Sequence, residues 1–321
     1  MAIKVIKKGM LTSVQDLGRN GWQAFGITVG GAMDFTAARL ANIVLGNNEN
    51  EAVLEMTLTG PSLKFTEDAV ISIFGAFMSP TLHNMDIRHG KPVQIKKGEV
   101  LTFGTAQKGA RCYLAVKGGL TILEVLNSKS TNFKAEIGGL HGRCLEVGDV
   151  LPLKRSFFSD TSWGLSYKLE NYISHSKPIR FTRGRQYDWF NTESRQAFTE
   201  SPFTISSASD RMGYRLHGTP IYLAEKRELT TEGTAFGSVQ IPPNGQPIIL
   251  MADRQPTGGY PKIGEVISCD LPRLSQMRPG EKVHFEEISL KEAQQALLTY
   301  HRELATLRAA CTLKWRDRSN V

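Results

Sequence analysis

Cysteine is scarce in this chain: four residues in 321, Cys112, Cys144, Cys269 and Cys311, far apart and never as a C-x-x-C pair. That spacing argues against a disulfide framework and a thiolate zinc site; scattered thiols of this kind are mostly small buried hydrophobes. Long apolar runs are missing as well. No stretch approaches the roughly 20 residues that a membrane-spanning helix needs. The opening MAIKVIKKGM carries charge without an apolar segment, unlike a secretory leader. The expected compartment is therefore the cytoplasm, with no membrane partner. G-x-x-x-x-G-K-[ST], a helix-opening G-x-G-x-x-G, H-E-x-x-H and G-x-S-x-G are all absent, which removes phosphate-loop, dinucleotide-binding, zinc-protease and serine-hydrolase chemistry. His83 and His89 flank a turn, read as surface residues, and no metal site is expected. The chain is basic, with a net charge of +8. No basic stripe alternates with aromatics, however, so nucleic acid is not an expected partner. Part of the excess sits in Arg302, Arg308, Lys314, Arg316 and Arg318.

What is present is a globular composition, 40% apolar and 22% charged, at a length that allows two domains. Ile3-Lys4-Val5-Ile6-Lys7 alternates like a half-buried strand. Asp34 to Leu45 has helical spacing, with Asp34 as N-cap, Leu40, Val44 and Leu45 on an inner face, and Gly46-Asn47 as the stop. From Val53 onward short apolar segments alternate with Gly- and Pro-rich turns, the rhythm of a mainly antiparallel β barrel or sandwich. The polar stretch 156–177 reads as a linker or arm. A second β-rich region follows, broken by a short helix from Thr192 to Glu200. The chain ends in an amphipathic helix opened by a Ser289/Glu292 capping box. The expected architecture is mainly β: an N-terminal lobe (1–155), the linker (156–177), a C-terminal lobe (178–288), and a C-terminal helix and tail (289–321).

Candidate chemistry concentrates in residues 237–270, GSVQIPPNGQPIILMADRQPTGGYPKIGEVISCD. Ile248 to Ala252 reads as a strand buried on both faces, with a further strand from Glu265 to Ile267. Between them a Gly/Pro loop carries Asp253, Arg254, Gln255, Tyr260 and Lys262. A rigid strand that delivers an acid, a guanidinium and an amide into a loop is a common way to build a site. An internal echo, Arg-x-Gly-aromatic-x-x-x-Gly, occurs at 19–26 and 211–218, with Asp16 and Asp210 just upstream; it reads as a trace of duplication. The plainer reading of the charges is a set of rim supports, Asp210 paired with Arg211 and Asp253 with Arg254.

The stretches VQDLGRNGW, GGAMD, ANIVLGN and SSASDRMGYRL, together with the 237–270 block, resemble one family. It holds the C subunits of bacterial 5-oxoprolinases, the antagonist of the KipI kinase inhibitor, the so-called allophanate hydrolase subunit 2 and the carboxyltransferase half of urea carboxylase. The resemblance runs from about Ile3 to Phe285 and implies two cyclophilin-like β-barrel lobes facing a cleft. It implies one component of an ATP-dependent enzyme, with Mg2+, that opens 5-oxo-L-proline to L-glutamate; the component is inactive alone. The implied partners are the other two 5-oxoprolinase components, a KipI-like B subunit and an A subunit. Under that reading Asp253 is a base or a metal-facing acid, Arg254 and Lys262 are phosphate or carboxylate clamps, and Gln255 is an orienter. Arg211 and Arg19 would hold the substrate carboxylate, with Asp210 beside them fixing the Arg211 guanidinium and Tyr260, Met33 and Trp22 as walls. Two alternatives remain: a carboxyltransferase acting on urea or a related amide, with biotin supplied in trans, and a regulatory module that binds a kinase inhibitor. The chain carries neither an Ala-Met-Lys-Met biotinylation site nor a nucleotide-grasp region, which fits the oxoprolinase reading better. Gly30-Gly31 and Pro256 depart from the family pattern without removing a charge.

Overall fold

A computed structural model describes residues 1–158, 163–165 and 177–316. Most of the 156–177 linker and the tail beyond Arg316 lie outside the described residues. The chain divides into two compact units, one of Met1–Arg19, Gly30–Ile173 and Arg302–Val321, the other of Asn20–Val29 and Ser174–His301.

Side-chain alternation shapes the first unit. Strand Ala2–Lys7 buries Ile3 and Val5 and exposes Lys4 and Lys7. It pairs antiparallel with Ser62–Phe65 and Val150–Pro152 in a six-stranded sheet. A five-stranded sheet forms around Lys108–Val116, which lies between Val53–Thr57 and Ala69–Phe77. The two sheets share one core: Ile3, Val5, Leu63 and Phe65 from the first, Leu54, Met56, Ile71 and Leu114 from the second. Each such side chain, fully buried, contributes about 1.5–3 kcal/mol, so this core outweighs the surface ion pairs. Helix Phe35–Val44 starts where Asp34 Oδ1 accepts from Ala37 N at 2.8 Å and stops at Gly46, whose φ of 67° suits glycine. It packs on strands Lys108–Val116 and Ala69–Phe77 and is buried nearly all round rather than along one stripe.

The second unit holds an eight-stranded sheet. Its two edge strands, Lys282–Val283 and Phe285–Glu287, are separated only by His284. The chain itself therefore draws the sheet's ends together into a nearly closed barrel, which removes exposed edges. Helix Thr192–Glu200 is capped by Asn191, whose Oδ1 accepts from Ser194 N at 2.8 Å. It delivers Phe198 into an aromatic core, stacked on Phe285 at 4.3 Å and edge-on to Phe181 at 5.0 Å.

The C-terminal helix, Leu290–Arg316, opens with the expected capping box: Ser289 N donates to Glu292 Oε2 at 2.8 Å, and Glu292 N to Ser289 Oγ at 3.2 Å. Among the described residues no helix is long and apolar enough to cross a membrane. The four cysteines are free. Three readings need correction. Leu271–Ser275 is a short helix inside a stretch read as strands. His89 is not a simple surface residue: its ring sits 5.4 Å from that of Phe77, and burial pushes its pKa down to about 4. The echo is not structurally equivalent, because Gly213–His217 is a strand whereas Gln23–Phe25 is a 3-10 turn. Its two copies share a local device, Asp16 and Asp210 each accepting from the backbone N–H two residues on at 2.8 Å.

Candidate functional site

Strand Ile248–Leu250 runs into the 253–262 loop as expected, but only Ile249 is buried. Ile248 and Leu250 face a cavity of about 260 Å³ within the second unit. The expectation of a strand buried on both faces is thus corrected: one face floors this cavity. Opposite stand Gln255, Thr257, Gly258, Gly259 and Tyr260, with Asp210 and Gln240 completing the wall. Three of the eight predicted residues, Asp210, Gln255 and Tyr260, are brought together here. Tyr260 is 46% exposed, and the Gln255 carbonyl is fixed by Thr234 Oγ1 at 2.5 Å. Asp210 does not reach Arg211's guanidinium in the way the rim-support reading had it. Its Oδ1 accepts from Met212 N and Gly213 N at 2.8 and 3.1 Å and shapes the turn.

Arg211 pairs instead with Asp253. Nε donates to Oδ2 at 2.8 Å and Nη2 to Oδ1 at 2.9 Å, a two-pronged contact with side chains only 7% and 14% exposed. The pairing follows from register, because strand Gly213–His217 opposes Ile248–Leu250 with Gly213 across from Leu250, which brings the residues just outside both strand ends together. Asp253 thus engages that guanidinium through both of its oxygens. Lys262 is likewise not a loop cation. It begins strand Lys262–Val266, is buried, and its Nζ lies 2.8 Å from Glu232 Oε1 and donates to Gly233 O at 2.9 Å. That lysine, joined by Gln186 Nε2 at 2.9 Å, holds the Glu232 carboxyl below its ordinary range.

Arg254 differs from these cations. Its Nη1 makes only long contacts to Met251 O and Ala252 O, 3.4 and 3.5 Å, and its guanidinium lies 5.8 Å from the centre of the Phe236 ring. Its Nε is buried with no hydrogen-bond partner among the described residues. Burial lowers its pKa from the usual arginine value, opposed by Glu265 and Asp253. Burial also raises the Glu265 carboxyl, against a 2.7 Å hydrogen bond from Ser238 Oγ. Arg254 is thus the one of the three loop-region cations whose fork is under-filled, which suits an anion.

Arg19 belongs to the first unit and is fully buried. Nε donates to Val125 O and Nη2 to Ser130 O, both at 2.9 Å, while Asp16 gathers Ser128, Lys129 and Ser130 around its carboxylate. It braces that loop, and it is not among the residues that line the second unit's cavity. Met33, also fully buried, is no wall. Sequence reasoning missed Gln240 and Glu232. Alternation in the short strand Ser238–Gln240 sets Gln240 on the face opposite Val239, a signal for the first. Nothing local marks Glu232.

A family model for the carboxyltransferase domain, subdomain A and B, matches residues 25–287. The chain is 41% identical over 281 residues to the 5-oxoprolinase C subunit of Haemophilus influenzae, covering 88% of this chain and 89% of that one. It is 41% identical over 294 residues to the 5-oxoprolinase C subunit of Escherichia coli, covering 92% and 94%. Among solved structures it is similar to Kluyveromyces lactis urea carboxylase, with a TM-score of 0.89 at 29% identity over 95% of this chain and 29% of that one.

Proposed function

This chain belongs to the carboxyltransferase-domain family of subdomains A and B, and from that premise we propose that it is the C subunit of an ATP-dependent 5-oxoprolinase. In that role it acts with the A and B subunits to open 5-oxo-L-proline to L-glutamate. The observation that carries this reading is the 41% identity to two 5-oxoprolinase C subunits along nearly their whole length. The K. lactis urea carboxylase match, at 29% identity, spans only 29% of that enzyme. A second reading, carboxyl transfer to urea with biotin supplied in trans, has that structural likeness in its favour and predicts urea-dependent turnover instead.

A five-membered lactam resists water because amide resonance removes electrophilicity from its carbonyl carbon. ATP would supply the activation: phosphorylating the amide oxygen would leave an imidate-like ring carbon open to water, after whose addition the ring C–N bond must break to give glutamate. The described residues do not fit a nucleotide cradle. Arg211 and Lys262 are neutralised by Asp253 and Glu232, and no phosphate-binding loop occurs in the sequence. We therefore assign the nucleotide and its Mg2+ to another part of the complex and derive no step through them. This chain's share is binding. The mixed walls of its cavity hold a small polar ring, Arg215 is the cation among its lining residues, Tyr260 stands partly exposed at the wall, and Arg254, next to the lining residue Gln255 in sequence, keeps a buried Nε without a partner among the described residues.

Reconstitution tests this. The chain mixed with its two companion subunits is expected to release glutamate from 5-oxoproline only with ATP, and the chain alone to release none. Full turnover by the chain alone, or turnover of urea but not 5-oxoproline by the complex, would overturn the reading.

A further inference from the structure

Strand Ser238–Gln240 ends in a register slip: Val239 opposes Gly264, whereas Gln240 opposes Lys262, skipping Ile263. Such a bulge re-aims a side chain away from its place in the ladder. Gln240 lines the cavity and is only 6% exposed. Its Nε2 is buried without a hydrogen-bond partner among the described residues. A buried donor left unmade costs about 1–3 kcal/mol, and an exception of this kind calls for a reason. The adjoining wall keeps its space clear, since a Cβ at Gly258 would lie 2.5 Å from that nitrogen. Glycine at 258 is what allows the carboxamide to sit against the cavity wall.

We propose that the Gln240 carboxamide recognises the ligand of this cavity, and that the ligand presents an amide group of the lactam or urea type. A carboxamide has a donor and an acceptor side by side. A lactam ring holds its C=O and N–H cis, so one edge offers the matching acceptor and donor, and urea offers the same pair. A carboxylate offers acceptors only, and a ketone no donor. Sites built on a buried hydrogen-bonding group reject analogues that lack its partner, because the group is then left unpaired. Gln240 is thus a specificity-determining binding residue, and the choice of a lactam over a urea rests on the 5-oxoprolinase reading.

Calorimetric titration of the full-length protein with 5-oxoproline, urea and 3-oxocyclopentane carboxylate, which keeps ring, ketone and acid but lacks the N–H, tests the proposal. The wild type is expected to bind 5-oxoproline at least about tenfold more tightly than the carbocycle, a difference of about 1.4 kcal/mol. Gln240→Met, close in shape without donor or acceptor, should erase that preference at an equal or higher melting temperature. Gly258→Ala, which crowds the amide by a methyl, should weaken lactam binding. Equal affinities in the wild type, no binding, or a preference that survives in Gln240→Met would overturn the inference. The two claims fail separately. A reconstituted complex without ATP-dependent glutamate release overturns the 5-oxoprolinase reading, while amide selectivity lost in Gln240→Met sustains this inference even then.

Discussion

Arg211, Lys262 and Arg254 carry the same formal charge and have different jobs, decided by what each one touches. Arg211 and Asp253 neutralise each other in a largely buried pair, and removing one member strands the other. Arg211→Ala and Asp253→Ala should each destabilise the second unit by about 3–5 kcal/mol, and the double variant by less than the sum, measured by urea denaturation. Unchanged midpoints would show that the pair is idle. Lys262→Ala should act in the same direction by stranding Glu232, contrary to the expectation of a mobile loop cation. Arg254→Ala breaks only long contacts, so its stability should change by no more than about 1 kcal/mol, while turnover of the reconstituted complex falls at least about tenfold. A stable, fully active Arg254→Ala complex would show that Arg254 has no part in turnover. His89 supplies a pH test. Its folded pKa of about 4 lies below the 6.5 of an unperturbed histidine, so the unfolded chain binds more protons across that window. Stability present above pH 6.5 should decline as pH falls towards 4, by on the order of 3 kcal/mol. His89→Phe should flatten that part of the melting profile, and an identical slope in both proteins would contradict the assignment.

Elements were legible where their signals are local. Asp34 and Asn191 cap their helices, Ser289 and Glu292 cap each other, and alternation placed Ile3 and Val5 inside. The chemistry-bearing block was legible as a block, and Asp210, Gln255 and Tyr260 do share a cavity. Charge pairing was not legible, because it is set by sheet register across long separations. Asp253 meets Arg211 only because Gly213 opposes Leu250, and Lys262 meets Glu232 from inside a strand that begins three residues earlier than the sequence reading placed it. Adjacent charges such as Asp210-Arg211 invite a pairing, whereas Asp210 Oδ1 serves its own backbone turn and the Arg211 fork meets Asp253. The C-terminal helix is held by an equally non-local contact. Trp315 Nε1 donates to Val44 O at 2.9 Å, and Lys117 Nζ sits 3.3 Å from the centre of a Trp315 ring. Losing that hydrogen bond and the cation–π contact, Trp315→Ala should destabilise the first unit by about 2 kcal/mol. It should also speed amide exchange in the last turns of the helix. Unaltered exchange there would mean that the helix is held elsewhere.

At the scale of the molecule, each unit has its own sheet structure, and the cavity belongs wholly to the second. The central claim is that this cavity receives the lactam. Methyl NMR of the full-length protein titrated with 5-oxoproline tests it most directly, because reporters sit in both units. The account predicts saturable shifts at Met212, Ile248 and Leu250, which line the cavity, and none at Ile71 or Leu114 in the first unit's core. Shifts confined to first-unit methyls, or a second-unit cavity silent at saturating ligand, would contradict it.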